Sequence, residues 1–138
     1  MSADSARHLI EASLAGTPYL VRALELADIA ARRDSTESCA IWSERGGVVH
    51  SVALVGLVPG AIGAGKIHLV LGDDRHVVAR ACDVLRALGA RFAAAEWPDD
   101  APFTQASIIL RQEGFVEEAR IPDFYRPGVA LVFLKRDL

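Results

Sequence analysis

The sequence predicts a single α/β (α+β) domain, residues 1–138, built around one mixed sheet. Three observations predict it. Two helical stretches open the chain, a nearly consecutive set of strand-patterned runs follows, and two further helices interrupt those runs. No linker, repeat or low-complexity segment divides the 138 residues, and a chain of this length forms one core.

Ser5 is placed to cap a short helix from Ala6 to about Leu14. Thr17-Pro18 opens a stronger one, reaching Arg33, with Leu20, Leu24, Ala27 and Ala31 at helical spacing. From Cys39 to Trp42 the period shortens to that of a strand, and Glu44-Arg-Gly-Gly47 reads as a hairpin turn. Val48 to Leu57 is a strand, Pro59 to Gly65 a glycine-rich connection, and Ile67 to Leu71 a second strong strand. Arg75 to Leu88 is helical, with Val77, Ala81, Val84, Leu85 and Leu88 on one face and Gly89 at its end. Arg91 to Glu96 returns to strand.

The last third carries the sharpest signals. Asp100 with Pro102 marks a helix start, because a carboxylate caps orphan amides and proline has no amide to satisfy. Gly114 stands where a helix stop needs positive φ, and Phe115 re-enters the core. Arg126-Pro127-Gly128 is a turn, proline setting one dihedral and glycine freeing the next.

Bulk properties exclude several classes. The chain is 51% hydrophobic without an apolar run of 18 residues, which predicts a soluble globule and no membrane span. The net charge of −3, with acids and bases interspersed, argues against a nucleic-acid footprint. The N-terminus lacks a basic start followed by an apolar core, so no signal peptide is expected. Cys39 and Cys82 alone make neither a disulfide framework nor a zinc site, and a reducing cytoplasm is the simplest home. His50 and His68 lie in strands that can pair, but two imidazoles without a third ligand do not predict a metal.

Over about 45 residues the C-terminal segment resembles the GNAT superfamily, the acyl-CoA-dependent N-acyltransferases. Leu110-Arg-Gln-Glu-Gly114-Phe115 stands where that family has a tyrosine, three residues and Gly-Phe, and Ile121-Pro-Asp-Phe-Tyr125 with Pro127-Gly128 resembles its final hairpin. The resemblance weakens over the middle and is poor before about residue 36. It implies a central mixed, mostly antiparallel sheet flanked by helices and splayed where the family's fourth and fifth strands part. It also implies acetyl-CoA as co-substrate and a small-molecule or peptide amine as acceptor. No convincing first strand precedes the helices here, so the sheet is shortened, or its edge is covered by a partner subunit in a homodimer.

By position, Leu69, Val70 and Leu71 are the strand end that the family uses for the pantetheine arm. Arg75, His76, Val77, Val78, Ala79 and Arg80 follow as the loop and first turn that hold pyrophosphate, where unpaired amides and the helix dipole favour an anion. The family pattern there is Gln or Arg, two residues, Gly, one residue, then Gly or Ala. Only Ala79 obeys it: Asp74 stands at the basic or amide position, and Val77 stands at a glycine position. Backbone amides tolerate such changes, and Arg75, His76 and Arg80 can still supply positive charge. A β-branched Val77 and an anionic Asp74 oppose a close phosphate.

For chemistry, the resemblance assigns Glu96, at a strand end, as the base, since a partly dry site raises a carboxylate's pKa; without the resemblance it reads as a solvated strand-end carboxylate. The family's usual acid is replaced by Leu110, which has no proton to give. Tyr125 is the substitute acid, or a half-buried aromatic with its hydroxyl at the rim. Two functions follow: acetyl transfer to a primary amine, or a catalytically inactive module that uses the cleft for binding or self-association. Gly60 to Lys66 mimics the start of a P-loop, but Ile67 lacks the required hydroxyl and strand composition follows where that motif needs a helix.

Overall fold

The computed structural model describes residues 3–32 and 38–138. Helices α1 (Ala3–Leu14) and α2 (Leu20–Ala30) precede strands β1 (Cys39–Arg45), β2 (Val48–Leu57) and β3 (Ala64–Leu71). Helix α3 (His76–Ala87), strand β4 (Phe92–Pro98), helix α4 (Thr104–Gln112) and strands β5 (Val116–Arg126) and β6 (Val129–Asp137) complete the order. The six strands form one sheet in the order β1-β2-β3-β4-β6-β5. Every neighbouring pair is antiparallel except β3 and β4. The expected mixed, mostly antiparallel sheet is therefore present, and two helices, not a strand, come first among the described residues.

Local chemistry sets most boundaries. Gly46 and Gly47 both take positive φ, so β1 and β2 are joined by a two-residue turn that only glycine enters without strain, and β1 runs on through Arg45. Helix α2 stops at Ala30, earlier than its spacing suggests; Arg33 lies outside the described residues. Asp100 Oδ1 accepts the Ala101 amide at 3.0 Å, but the turn it starts is a 3₁₀ turn, Ala101–Phe103, that leads into α4. Gly114 and Gly128 take the positive φ expected of them. The glycine-rich stretch ending at Lys66 runs directly into β3, so it is an antiparallel connection and not a phosphate loop.

Helices cover both faces of the sheet. Strand β2 is buried on both sides for most of its length, with Val52, Leu54 and Val55 inaccessible. Alternation on β3 separates the layers: a Cβ at Gly65 would touch Leu85 of α3, while Lys66 and His68 face a cleft walled by α2. Ile10, Leu14, Ile67, Val77, Leu85, Ile109 and Leu134 tie the layers into one core.

The feature that positions the site is a split in the sheet. The parallel pairing of β3 with β4 runs from Ala64–Phe92 only to Ile67–Ala95. Beyond it β3 stays paired with β2 through Leu71, and β4 with β6 through Pro98. The two strands thus diverge, as the resemblance implies. His68 falls at the β2–β3 irregularity between Ile67 and Leu69, and His50 lies beyond the last β2–β3 pair, so the two histidines are not neighbours although their strands pair.

Candidate functional site

A cleft of about 630 Å³ opens on the α1–α2 face at this split. Its apolar wall comes from Leu14 and Leu26 of the helices, Trp97 and Pro98 of β4, and Phe103. Its polar groups are Tyr19, Arg22, Lys66, His68, Glu96, Tyr125 and Arg126. A mostly hydrophobic hollow with a few convergent polar groups is the usual form of a small-molecule site.

Glu96 and Tyr125 are brought together on this wall. Glu96 Oε1 accepts a 2.7 Å hydrogen bond from Lys66 Nζ, and the pair is partly sheltered, with side-chain exposures of 38% and 31%. The register explains the contact: Lys66 pairs with Ala94, so Glu96 is its diagonal neighbour on the same face. Tyr125 comes from the far end of the sheet. Between Ile121 and Arg126 strand β5 carries extra residues relative to β6, with Asp123 at φ 54°, and this bulge brings Tyr125 to the cleft while Phe124 stays exposed. Asp123 Oδ1 accepts the Gly128 amide at 2.7 Å and fixes the bulge. Burial pushes the Tyr125 hydroxyl above its ordinary pKa, and the Glu96 carboxylate and Tyr19 add to the push. Tyr125 therefore keeps its proton at neutral pH, as a donor must.

A second cluster frames the rim. Tyr19 donates to Asp100 Oδ2 at 2.8 Å, and Arg126 donates to the same oxygen at 2.8 Å and to the Tyr19 hydroxyl at 3.2 Å. Tyr19 also meets Phe103 and Tyr125 edge to face, at centroid distances of 5.2 and 6.1 Å. This cluster ties α2, the 3₁₀ turn and β5 together at the mouth of the cleft.

Of the residues expected to hold a cofactor, Leu69 lines the cleft. Leu69, Val70 and Leu71 are buried on the diverging end of β3, and a small cavity of about 20 Å³ remains between Leu69, Trp97, Phe103 and Leu110. Leu110, in the position where the family has its tyrosine, is fully buried in α4. At the start of α3, Val77 and Val78 point into the core, Ala79 is partly buried, and Arg75, His76 and Arg80 are exposed. These side chains are engaged: Arg75 Nε donates to Glu113 at 2.7 Å, Arg80 to the Trp42 carbonyl at 2.7 Å, and His76 Nδ1 lies 2.9 Å from Asp74. Asp74 Oδ1 also accepts the His76 amide at 2.9 Å. The Asp74 carboxylate thus caps the first turn of α3, where unpaired amides and the helix dipole favour negative charge.

Comparison with solved structures bears on this geometry. A protein from Desulfovibrio desulfuricans assigned to the GNAT family of acetyltransferases superposes with a TM-score of 0.81, covering 99% of this chain and 92% of that one at 19% identity. The chain has the GNAT fold. A Salmonella typhimurium protein assigned as an acetyltransferase and solved with acetyl-CoA gives a TM-score of 0.73 at 18% identity, over 99% of this chain and 88% of that one. A ribosomal-protein-alanine N-acetyltransferase from Brucella melitensis gives 0.72 at 15%, over 99% and 94%. No protein-family model matches the sequence, and no curated protein does. Among the described residues, no group of acidic, cysteine and histidine side chains could hold a metal, and no helix is long and apolar enough to cross a membrane.

Lys66, Tyr19 and Arg22 are the polar cleft groups that sequence reasoning passed over. Lys66 was visible only as the end of a false phosphate motif. Two-residue alternation along β3 places it on the face of His68, and parallel pairing with β4 then brings it to Glu96.

Proposed function

We propose that this GNAT-fold chain transfers an acetyl group from acetyl-CoA to a primary amine of a small molecule or peptide. The observation that carries the reading is the placement of Glu96 and Tyr125 on one cleft that opens at the split between β3 and β4. Bound acetyl-CoA would supply a thioester whose acyl carbon an amine can attack. The backbone of Leu69, Val70 and Leu71 would hold its arm, and the first turn from Arg75 to Arg80 its phosphates, with Asp74 turned aside. Glu96 accepts the proton of the incoming ammonium on its carboxylate, and the Tyr125 hydroxyl returns a proton where the sulfur leaves. The apolar wall at Leu26, Trp97 and Phe103 receives the body of the acceptor.

Acetyl-CoA in the Salmonella structure supports the choice of donor. The Brucella enzyme's named acceptor, the alanine of a ribosomal protein, supports an amine of a peptide terminus. A cytoplasmic homodimer belongs to the same proposal, since β1 and β5 are the outer strands of the sheet and edges of this kind are commonly covered. A specific observation favours a second reading, a non-catalytic binding or self-association module: Asp74 caps the first turn of α3 and Leu110 fills the place of the usual acid.

Calorimetric titration with acetyl-CoA, followed by an amine screen with the wild type, Glu96→Gln and Tyr125→Phe, tests the choice. Micromolar binding with turnover lost in the variants supports transfer. Binding without turnover of any amine favours the second reading, and no binding at millimolar acetyl-CoA overturns the first.

A further inference from the structure

Lysine is scarce in this chain: two lysines, Lys66 and Lys135, stand against thirteen arginines. Their surroundings differ sharply. Lys135 lies on β6, over the Phe92 ring and 3.5 Å from Asp137, outside the cleft. Lys66 is a primary amine on the cleft wall, held 2.7 Å from the carboxylate expected to deprotonate the acceptor. Lys66 thus presents to Glu96 the same group that an acceptor would present, already inside the cleft and at hydrogen-bond distance.

We propose that Lys66 is itself an acetyl acceptor, so that the protein acetylates its own Nζ from acetyl-CoA. The proposal rests on the transferase reading above. Lys66 Nζ gives a proton to Glu96 and forms a bond to the acyl carbon of the thioester. The carbon–sulfur bond breaks with its electron pair on sulfur. One proton passes to that sulfur from Tyr125 or from water, and the second proton shed by Nζ as the amide forms replaces it, while the proton taken by Glu96 is released to solvent. The products are free CoA and an ε-acetyl-lysine. The charge on Lys66 is lost with the reaction, so the ion pair to Glu96 ends and the carboxylate is left to an incoming amine.

The test uses intact-mass and peptide-mapping mass spectrometry of the full chain incubated with acetyl-CoA, beside calorimetric titration of the same sample. Binding of acetyl-CoA with one acetyl group on Lys66, at least about tenfold faster than on Lys135, supports the inference. Glu96→Gln is expected to slow that reaction at least about tenfold, while labelling of Lys66 by acetic anhydride, which needs no cofactor, is undiminished. Binding without preferential modification of Lys66 overturns this inference and leaves the transferase reading standing. So does a Lys66 rate that matches Lys135, or one unchanged in Glu96→Gln. Absence of acetyl-CoA binding overturns both.

Discussion

Asp74 Oδ1 accepts the backbone amide of His76, the first residue of α3, at 2.9 Å, while the Asp74 amide itself donates to Ser51 Oγ at 2.9 Å. The amides of Val77, Val78 and Ala79 are also engaged, Val77 with the Asp74 carbonyl and the other two with that of Arg75. A cofactor phosphate that takes the His76 amide must displace the carboxylate. Asp74→Gly is expected to tighten acetyl-CoA binding about tenfold, because one anionic competitor is removed. It is expected to lower the stability of the free protein by about 1 kcal/mol through loss of the cap. Calorimetry with acetyl-CoA and denaturant unfolding without it measure the two effects, which have opposite signs.

Glu96→Gln keeps the shape of the side chain and removes its basicity. We expect a loss of roughly 10²- to 10⁴-fold in acetyl transfer with little change in acetyl-CoA affinity. Tyr125→Phe removes only the hydroxyl, and the edge-to-face contacts with Tyr19 and Phe124 remain. We expect a smaller loss, about 10- to 100-fold, because water can reprotonate a thiolate. Single-turnover rates separate both effects from binding. A variant that changes affinity and not rate would assign its residue to the cleft wall.

Most of the architecture was legible because it is written in short-range chemistry. The Gly46-Gly47 and Pro127-Gly128 turns, the cap at Asp100 and the stop at Gly114 are local events, and they fix the β1–β2 and β5–β6 hairpins and the limits of the segment that holds α4. The site was legible in part. Glu96 and Tyr125 face one cleft, but the Lys66–Glu96 ion pair spans 30 residues and depends on the register of two strands, which no local pattern specifies. Arg75 and Arg80 illustrate the same limit. Their position beside α3 suggested phosphate partners, and the fold offers them Glu113 and the Trp42 carbonyl, both distant in sequence.

Gly72 closes β3 with φ +94°, and a Cβ there would stand 2.2 Å from the His50 carbonyl oxygen and 2.6 Å from Ser51 Cα. Both obstacles are backbone, so neither can rotate away. Gly72→Ala is expected to destabilise the protein by at least about 3 kcal/mol, through forbidden dihedrals and a direct clash. Gly89→Ala is the control: it shares a positive φ, at +91°, but a Cβ there meets nothing within 4 Å, so only about 1 kcal/mol is expected. Equal losses in urea unfolding would show that the dihedral alone matters at Gly72.

Asp100 joins three parts of the molecule at the cleft mouth, accepting the Tyr19 hydroxyl, Arg126 and the Ala101 amide. The Tyr19 hydrogen bond, with the Ala101 amide and Arg126 after it, holds the carboxyl below its ordinary pKa of 3.8. A depressed folded-state pKa means that the unfolded chain takes up the proton first. The contribution to stability is thus complete above about pH 5, where both states are ionised, and it is lost as pH falls through about 4 towards the folded value. Asp100→Ala is expected to cost about 2 kcal/mol at pH 7, from the lost cap and the unpaired Arg126. The gap between wild type and variant should narrow as the pH is lowered below 4, since the wild type alone loses this term. Urea midpoints for the two proteins at pH 7, 5 and 3 measure it. A gap that is constant across that range would mean that packing against Tyr19, and not the carboxylate charge, holds the rim together.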